Sequence, residues 1–385
     1  MVVLLGALIA LPALGTDLYV PALPVLARAL SAEVAAAQFT LTTYFAGLAA
    51  GMLLWGPLSD RYGRKPVLLA GLATMLVSSL IGSLMESVAA VAAARLGQGL
   101  AMSSGGVMAR SIVRDLHAHE QAARLLSSMT IVFSIVPIAA PLAGAALAGA
   151  AGWQSVFACM AAIAAALLAA VAYGLQETAP AERRSLRLAE ILRTFATVLR
   201  ERRFLAPFLL VLCPLMGILA WVSNSAFALV RGLGVTTVAY GALFAVVMLG
   251  QISGAWCSSR LVMRLGIARL LRFGAALMLA AGMAAAALAW AGVAHWLAVV
   301  LPFMAFLFGT ALIVPSATAA ALSPFPRAAG SASSLIGAFG FAMGALISTL
   351  LGATFDGSAR PMATVAAAAG LAAFLVERFL LRGKA

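Results

Sequence analysis

Charge is what this chain has least of: charged residues make up 10% of its 385 positions, against roughly a quarter in soluble proteins. That scarcity excludes a soluble globular enzyme and a disordered chain, both of which depend on charge to stay in water. Acids are the rarer sign, 12 against 25 Lys and Arg. Histidines and cysteines number three each, which leaves little for metal or redox chemistry. His117 and His119 stand two residues apart with no further ligand, and His295 is isolated. Cys159, Cys213 and Cys257 fall singly in apolar stretches, where they read as small membrane-embedded hydrophobes rather than a disulfide framework. No zinc-binding HExxH segment and no nucleophile elbow stands in a credible setting, so a membrane-embedded enzyme is a distant reading.

What the chain has in abundance is apolar length, with 64% of residues hydrophobic and a mean hydropathy of +1.08. About 20 apolar residues carry a helix across ~30 Å of hydrocarbon. Such stretches recur near 3–24, 36–58, 66–86, 88–109, 123–148, 154–175, 205–229, 237–257, 269–291, 294–318, 328–353 and 361–381. The expected fold is therefore an all-α membrane protein of twelve transmembrane helices. No Lys or Arg precedes Arg28, so residues 3–24 read as the first span rather than a signal peptide. With the N-terminus in the cytoplasm, 21 of the 25 Lys and Arg fall on the cytoplasmic side. The opposite side holds only Arg28, Arg231 and Arg360, and Arg95 lies within a span. Both termini are expected to be cytoplasmic. The basic excess serves orientation and contact with anionic lipid, and needs no nucleic acid. The preference for Arg over Lys, with abundant Ala, suggests a GC-rich bacterial genome and hence the bacterial inner membrane.

Two six-helix halves are expected, 1–176 and 205–385, joined by a charged cytoplasmic linker at 177–204 that reads as a surface helix. They repeat weakly. Phe45-Ala46 and Arg61-Tyr62-Gly63 in the first half answer to Phe244-Ala245 and Arg264-Leu265-Gly266 in the second, and internal duplication is a transporter architecture. Polar residues concentrate in spans 1, 4, 7 and 10, as helices lining a wet central cavity would require. Asp17 is the only acid well inside a span, and Arg95 lies at matching depth in span 4. An ionised side chain at mid-membrane costs ~2.5–3.5 kcal/mol on insertion scales, so the pair is read as proton- or substrate-handling. The competing reading is a permanent ion pair that only locks spans 1 and 4 together. Glu377, near the inner end of span 12, is expected to reach the headgroups. Pro137 and Pro141, with Gly144, mark a hinge in span 5. Gly47/Gly51 and Gly340/Gly344 are spaced for close helix approach.

The loop Gly56-Pro57-Leu58-Ser59-Asp60-Arg61-Tyr62-Gly63-Arg64-Lys65 resembles the G-x-L-x-D-R-x-G-R-[RK] signature of the major facilitator superfamily. Arg95-Leu96-Gly97-Gln98-Gly99 is similar to that superfamily's R-x-x-Q-G motif, and the span 5 segment to its antiporter motif, with Ala140-Pro141 in place of Gly-Pro. Thr16-Asp17-Leu18-Tyr19 through Pro24, Arg114-Asp115 and Trp221 through Phe227 resemble the Bcr/CflA drug-resistance branch. The resemblance spans essentially the whole chain and implies proton-coupled export of small amphipathic drugs by alternating access. It also implies a cytoplasmic gate of Gly56, Asp60, Arg61, Gly63, Arg64, Lys65 and Asp115. In that gate Asp60 meets the N-terminus of helix 11 and Arg64 pairs with Asp115.

Candidate substrate contacts are Tyr19, Gln38, Gln98, Trp221, Asn224 and Phe227. Asp17 is expected to alternate between a proton and the substrate-loaded state. Permanently paired with Arg95 it could not take up protons near neutrality, so that contact must loosen in one conformation. The closer rival is a uniporter or a proton-linked carrier of a physiological solute; a receptor or scaffold is remote. The expected partners are a drug-like small molecule, protons and membrane lipid, for a monomer without metal or cofactor.

Overall fold

The computed structural model describes residues 1–116, 119–179, 188–325 and 328–381. His117, Glu182, Arg183, Arg184, Arg187, Arg327, Arg382 and Lys384 lie outside the described residues, as do the side chains of His119, Arg124 and Glu190. All regular structure among the described residues is helical. Hydrocarbon offers no partner to backbone N–H and C=O groups, and an apolar chain without cross-strand partners satisfies them within each helix.

The chain divides into two compact units, Met1–Arg193 and Thr194–Ala385. The boundary falls within the segment expected to join two bundles. The first unit contains α1 (Val2–Asp17), α2 (Leu23–Ala29), α3 (Val34–Tyr62), α4 (Arg64–Leu84), α5 (Val88–Leu116), α6 (His119–Ala151) and α7 (Gln154–Gly174). Helix α8 (Leu188–Arg200) straddles the boundary. The second unit contains α9 (Arg202–Ala226), α10 (Thr237–Leu265), α11 (Ile267–Trp290), α12 (Trp296–Leu322), α13 (Ala329–Ala353) and α14 (Arg360–Leu375).

Eleven helical segments among the described residues are long and apolar enough to cross a membrane. The twelfth crossing is α5, 29 residues long, whose hydropathy is depressed by Arg95, Gln98, Ser103 and Ser104. All four of those side chains are buried, so the polarity that makes α5 atypical is spent inside the unit.

Both units repeat one packing scheme. In the first, α3 packs on α5, α4 on α5 and α7, and α1 on α5 and α6; in the second, α10 packs on α12, α11 on α12 and α14, and α9 on α12 and α13. The weak sequence repeat marks equivalent places in this scheme. Helices α3 and α10 are both 29 residues long and end on glycines at positive φ, Gly63 at 101° and Gly266 at 78°. Small residues set the approach distances: Gly47 and Gly51 lie against the α5 backbone and Ser103, and Gly250 and Gly254 against the carbonyls of Met304 and Phe308 on α12.

The first and last spans both depart from regular α-helix. The first span, Val2–Ala29, changes helix type midway: α1 stops at Asp17, a 3-10 turn runs over Val20–Ala22, and α2 begins at Leu23. Pro21 and Pro24 have no N–H to offer the carbonyls four residues back, those of Asp17 and Val20, so the α-helical ladder cannot run through. Glu377 does not reach out to the headgroups. It lies in a π-helical turn, Val376–Leu381, is 5% exposed, and stands 3.8 Å from Arg272.

Candidate functional site

The break in the first span organises a polar centre inside the first unit. Pro12 also lacks an N–H, which frees the Leu8 carbonyl, and Gly105 of α5 packs against that carbonyl. Past Asp17 the chain tightens, and Tyr19 N–H bonds the Thr16 carbonyl at 3.1 Å. The Gly15 carbonyl is thereby left without the donor a continuing α-helix would supply. Arg95 fills the place, donating Nη2–H to it at 3.0 Å. Gly144 of α6 lies against the Leu18 backbone, so its missing side chain makes room for the break. Helix α6 is assigned as continuous past Pro137 and Pro141.

Arg95 is fully buried. Its guanidinium lies between two aromatic faces, 4.1 Å from the Tyr19 ring centroid and 3.9 Å from that of Tyr44. Nη1 donates to Gln98 Oε1 at 2.9 Å, and Gln98 Nε2 in turn donates to Ser79 Oγ at 2.8 Å and Met160 Sδ at 3.6 Å. One cation therefore ties α1 to α5 and, through Gln98, to α4 and α7. The tyrosines are fixed at their far ends, Tyr19 by Thr40 at 2.6 Å and Tyr44 by donation to the Pro12 carbonyl at 2.8 Å. Arg95 Nε alone has no acceptor among the described residues.

Asp17 is 7% exposed and forms no ion pair among the described residues. No Asp17–Arg95 bridge forms in this arrangement among the described residues. The arginine is committed to neutral oxygens and ring faces two residues upstream of the acid.

A second polar cluster lies where α3 meets α4. Arg64 Nη1 donates to Asp60 Oδ1 and to Ser59 Oγ, each at 2.6 Å, and Nε donates to Asp115 Oδ2 on α5 at 2.9 Å. Charge-assisted bonds of this kind are the stronger class, and Arg64 makes three. Gly63 turns the chain at φ 101°, Arg61 lies over the Tyr62 ring at 5.3 Å, and Gly56 faces open space. Lys65 Nζ bonds the Ala172 carbonyl at 2.8 Å.

One residue of this cluster escaped the sequence reading. The Glu177 carboxylate accepts the backbone N–H of Arg64 at 2.8 Å and of Lys65 at 3.3 Å, and so caps the start of α4 from the far end of the unit. Burial works against its charge, but the N–H groups of Ala179, Arg64, Thr178 and Lys65 prevail and hold the carboxyl below its ordinary range. The capping partners are 113 and 112 residues apart in the chain. The one clue in the sequence is an isolated acid directly after an apolar span.

The six candidate substrate contacts are all fully buried. Tyr19 and Gln98 belong to the Arg95 centre, and Gln38 is on α3. In the second unit Trp221 packs against Phe244 and Phe303 at 5.8 and 5.2 Å, and Phe227 against Phe355 at 6.0 Å. Asn224 lies one turn beyond Trp221. No cluster of metal-ligating side chains occurs among the described residues.

Two like units of apolar helices around buried polar centres form a transporter architecture. The chain belongs to the Major Facilitator Superfamily, whose family model matches residues 5–349. It is similar to the bicyclomycin resistance protein homolog of Haemophilus influenzae, with 29% identity over 98% of this chain and 94% of that one. It is also similar to multidrug resistance protein D of Escherichia coli, with 28% identity over 93% and 90%. Among solved structures it resembles a D-xylose-proton symporter, with a TM-score of 0.74 and 16% identity over 98% and 96% of the two chains. A POT family transporter in complex with a thioalcohol-conjugated peptide gives a TM-score of 0.77 at 14% identity over 100% and 95%. These structural likenesses concern the fold. The relatives and the apolar helices together make this a multi-pass protein of the bacterial inner membrane.

Proposed function

We propose that this transporter exports small amphipathic drug-like molecules in exchange for protons, with Asp17 as the proton carrier. The observation that carries the reading is the separation of roles at the broken first span. Asp17 is buried without an ionic partner while Arg95 is held by neutral groups. An acid not tied to a cation is able to take up and release a proton. Arg95 keeps one donor, Nε, unfilled, and that donor is available to an ionised Asp17 or to substrate in another step of the cycle. The names of the two bacterial relatives, a bicyclomycin resistance homolog and a multidrug resistance protein, support a drug substrate.

In this reading the basic loops face the cytoplasm, and the Asp60–Arg64–Asp115 cluster with its Glu177 cap is a cytoplasmic gate element. Tyr19, Gln98, Gln38, Trp221, Asn224 and Phe227 are the substrate contacts of this reading. The energetics suffice. One charge crossing ~150 mV is worth ~3.5 kcal/mol, enough to hold a neutral drug at roughly a 300-fold gradient.

The test is drug flux in proteoliposomes under imposed gradients. A pH gradient, inside acidic, should drive a neutral drug into vesicles against its own gradient. Equilibration to equal concentrations, indifferent to pH, would instead identify a uniporter.

A further inference from the structure

The second unit holds a partly open cavity that the transport reading does not use. A cavity of about 150 Å³ lies among the π-helical turn Phe227–Gly232, the C-terminal end of α11, the start of α12 and the start of α14. Its walls are small and apolar, Ala228, Ala289, Ala298 and Ala363 among them, and its charged lining residue is Arg360. It is at the end of the unit opposite the basic cluster. Arg260 and Arg264 close α10 and Arg269 and Arg272 open α11, whereas the cavity adjoins the other end of α11.

Arg360 is held in place with both Nη groups open, and against the opposing effect of burial its charge helps the Ser358 hydrogen bonds hold the nearby Asp356 carboxyl below its ordinary range. Nε donates to the Ala289 carbonyl at 3.3 Å, and the guanidinium lies 5.3 Å from the ring centroid of Trp290. Trp290 is 63% exposed and donates Nε1–H to Thr364 at 3.1 Å. Neither Nη of Arg360 has a hydrogen-bond or ion-pair partner among the described residues. The nearby acid, Asp356, is engaged by Ser358, whose N–H and Oγ–H reach Oδ1 at 3.0 and 2.7 Å. A second arginine, Arg231, is exposed directly before Gly232 of the cavity wall.

Arginines at this end oppose the charge asymmetry that orients the chain. Of the three expected there, Arg360 lines the cavity and Arg231 directly precedes its wall residue Gly232, a placement that orientation alone does not require. Exposed Trp290, Trp296, Leu297 and Leu301 around the same end mark contact with lipid, with indoles at interfacial depth. A guanidinium with two open Nη groups over a small apolar chamber suits a ligand with a phosphodiester head and an apolar body. At about 30 Å³ per water, the chamber has room for a phosphate and the first carbons attached to it.

We propose that this cavity is a binding site for the headgroup of an anionic phospholipid, with Arg360 as the phosphate ligand and Arg231 at its rim. The site rests on the membrane embedding of the chain and not on drug export, so either can fail alone.

Native mass spectrometry of the purified full chain with phosphatidylglycerol, phosphatidylcholine or inorganic phosphate tests it. The native protein should retain one phosphatidylglycerol more than Arg360→Gln, with at least tenfold weaker retention at that site in the variant. Ala298→Leu, which fills the chamber and leaves the charge, should lose the same lipid. Arg269→Gln, at the opposite end, should keep it. Equal phosphatidylglycerol retention by the native protein, Arg360→Gln and Ala298→Leu would overturn the site. Equal retention of phosphatidylcholine, or displacement of the lipid by inorganic phosphate, would overturn the anionic lipid as its occupant.

Discussion

Replacing Arg95 with lysine keeps the charge and removes the plane. The guanidinium stacks on two tyrosine rings and bonds the Gly15 carbonyl and Gln98. A cation over an aromatic face is worth about 0.5–2 kcal/mol, and hydrogen bonds between membrane helices average about 0.6 and reach about 1.7 kcal/mol. An ammonium can keep one of these hydrogen bonds and part of one ring contact. The expected loss is therefore about 1–3 kcal/mol, or about 5 °C in the melting of a unit this size. Thermal unfolding in detergent, followed by helical circular dichroism, reads it. Double-mutant cycles then separate the partners. Arg95→Lys with Tyr44→Leu should show coupling near ~1 kcal/mol, whereas Arg95→Lys with Asp17→Asn should show clearly less. If coupling to Asp17 is the larger, the acid and the arginine are a locked pair and the separation of roles is wrong.

Three further outcomes follow from the geometry. Gly63→Ala places a side chain at φ 101° and against the Glu177 carboxylate; at about 1–2 kcal/mol for the backbone alone, it should lower the melting temperature more than Gly56→Ala, which meets open space. Glu177 is held below its ordinary range by four backbone donors. Its contribution is thus full above the unfolded value, about 4.3, and is lost as pH falls through the lower folded value. Between about pH 5 and pH 3 the native protein should therefore lose stability more steeply than Glu177→Gln. Gly144→Leu should cost about 1–3 kcal/mol by overpacking against Leu18, and reduce folded yield on a gel-filtration assay, while Gly174→Leu, with no neighbour, should not.

Much of this architecture was legible because hydrocarbon imposes a simple grammar: twenty apolar residues make a crossing, and polar residues inside one need a reason. Asp17 and Arg95 stood out for that reason alone. Depth along a helix was readable from residue counts, but which atoms meet was not. Arg95 contacts Gly15 instead of Asp17 because two prolines downstream tighten the turn and expose a carbonyl. That outcome depends on hydrogen-bond accounting at single atoms. Glu177 was illegible for another reason, since a helix cap supplied from 113 residues away leaves no local pattern. Gly144 follows Pro137 and Pro141 in the sequence, which suggests a hinge; that it lies against the break in the first span is a contact between distant segments that no local pattern carries. Glu377 was placed in the headgroups by its position near a helix end, and the π-helical turn carries it inward to face Arg272.

Proton release from everted membrane vesicles tests the central claim most directly. Vesicles carrying the native protein or Asp17→Asn are acidified by respiration and followed with a pH-sensitive fluorophore, while drugs are added one at a time. The account predicts drug-triggered proton release with the native protein and none with Asp17→Asn. Release that persists undiminished in Asp17→Asn would contradict it, leaving Asp17 as a structural group and the coupling elsewhere.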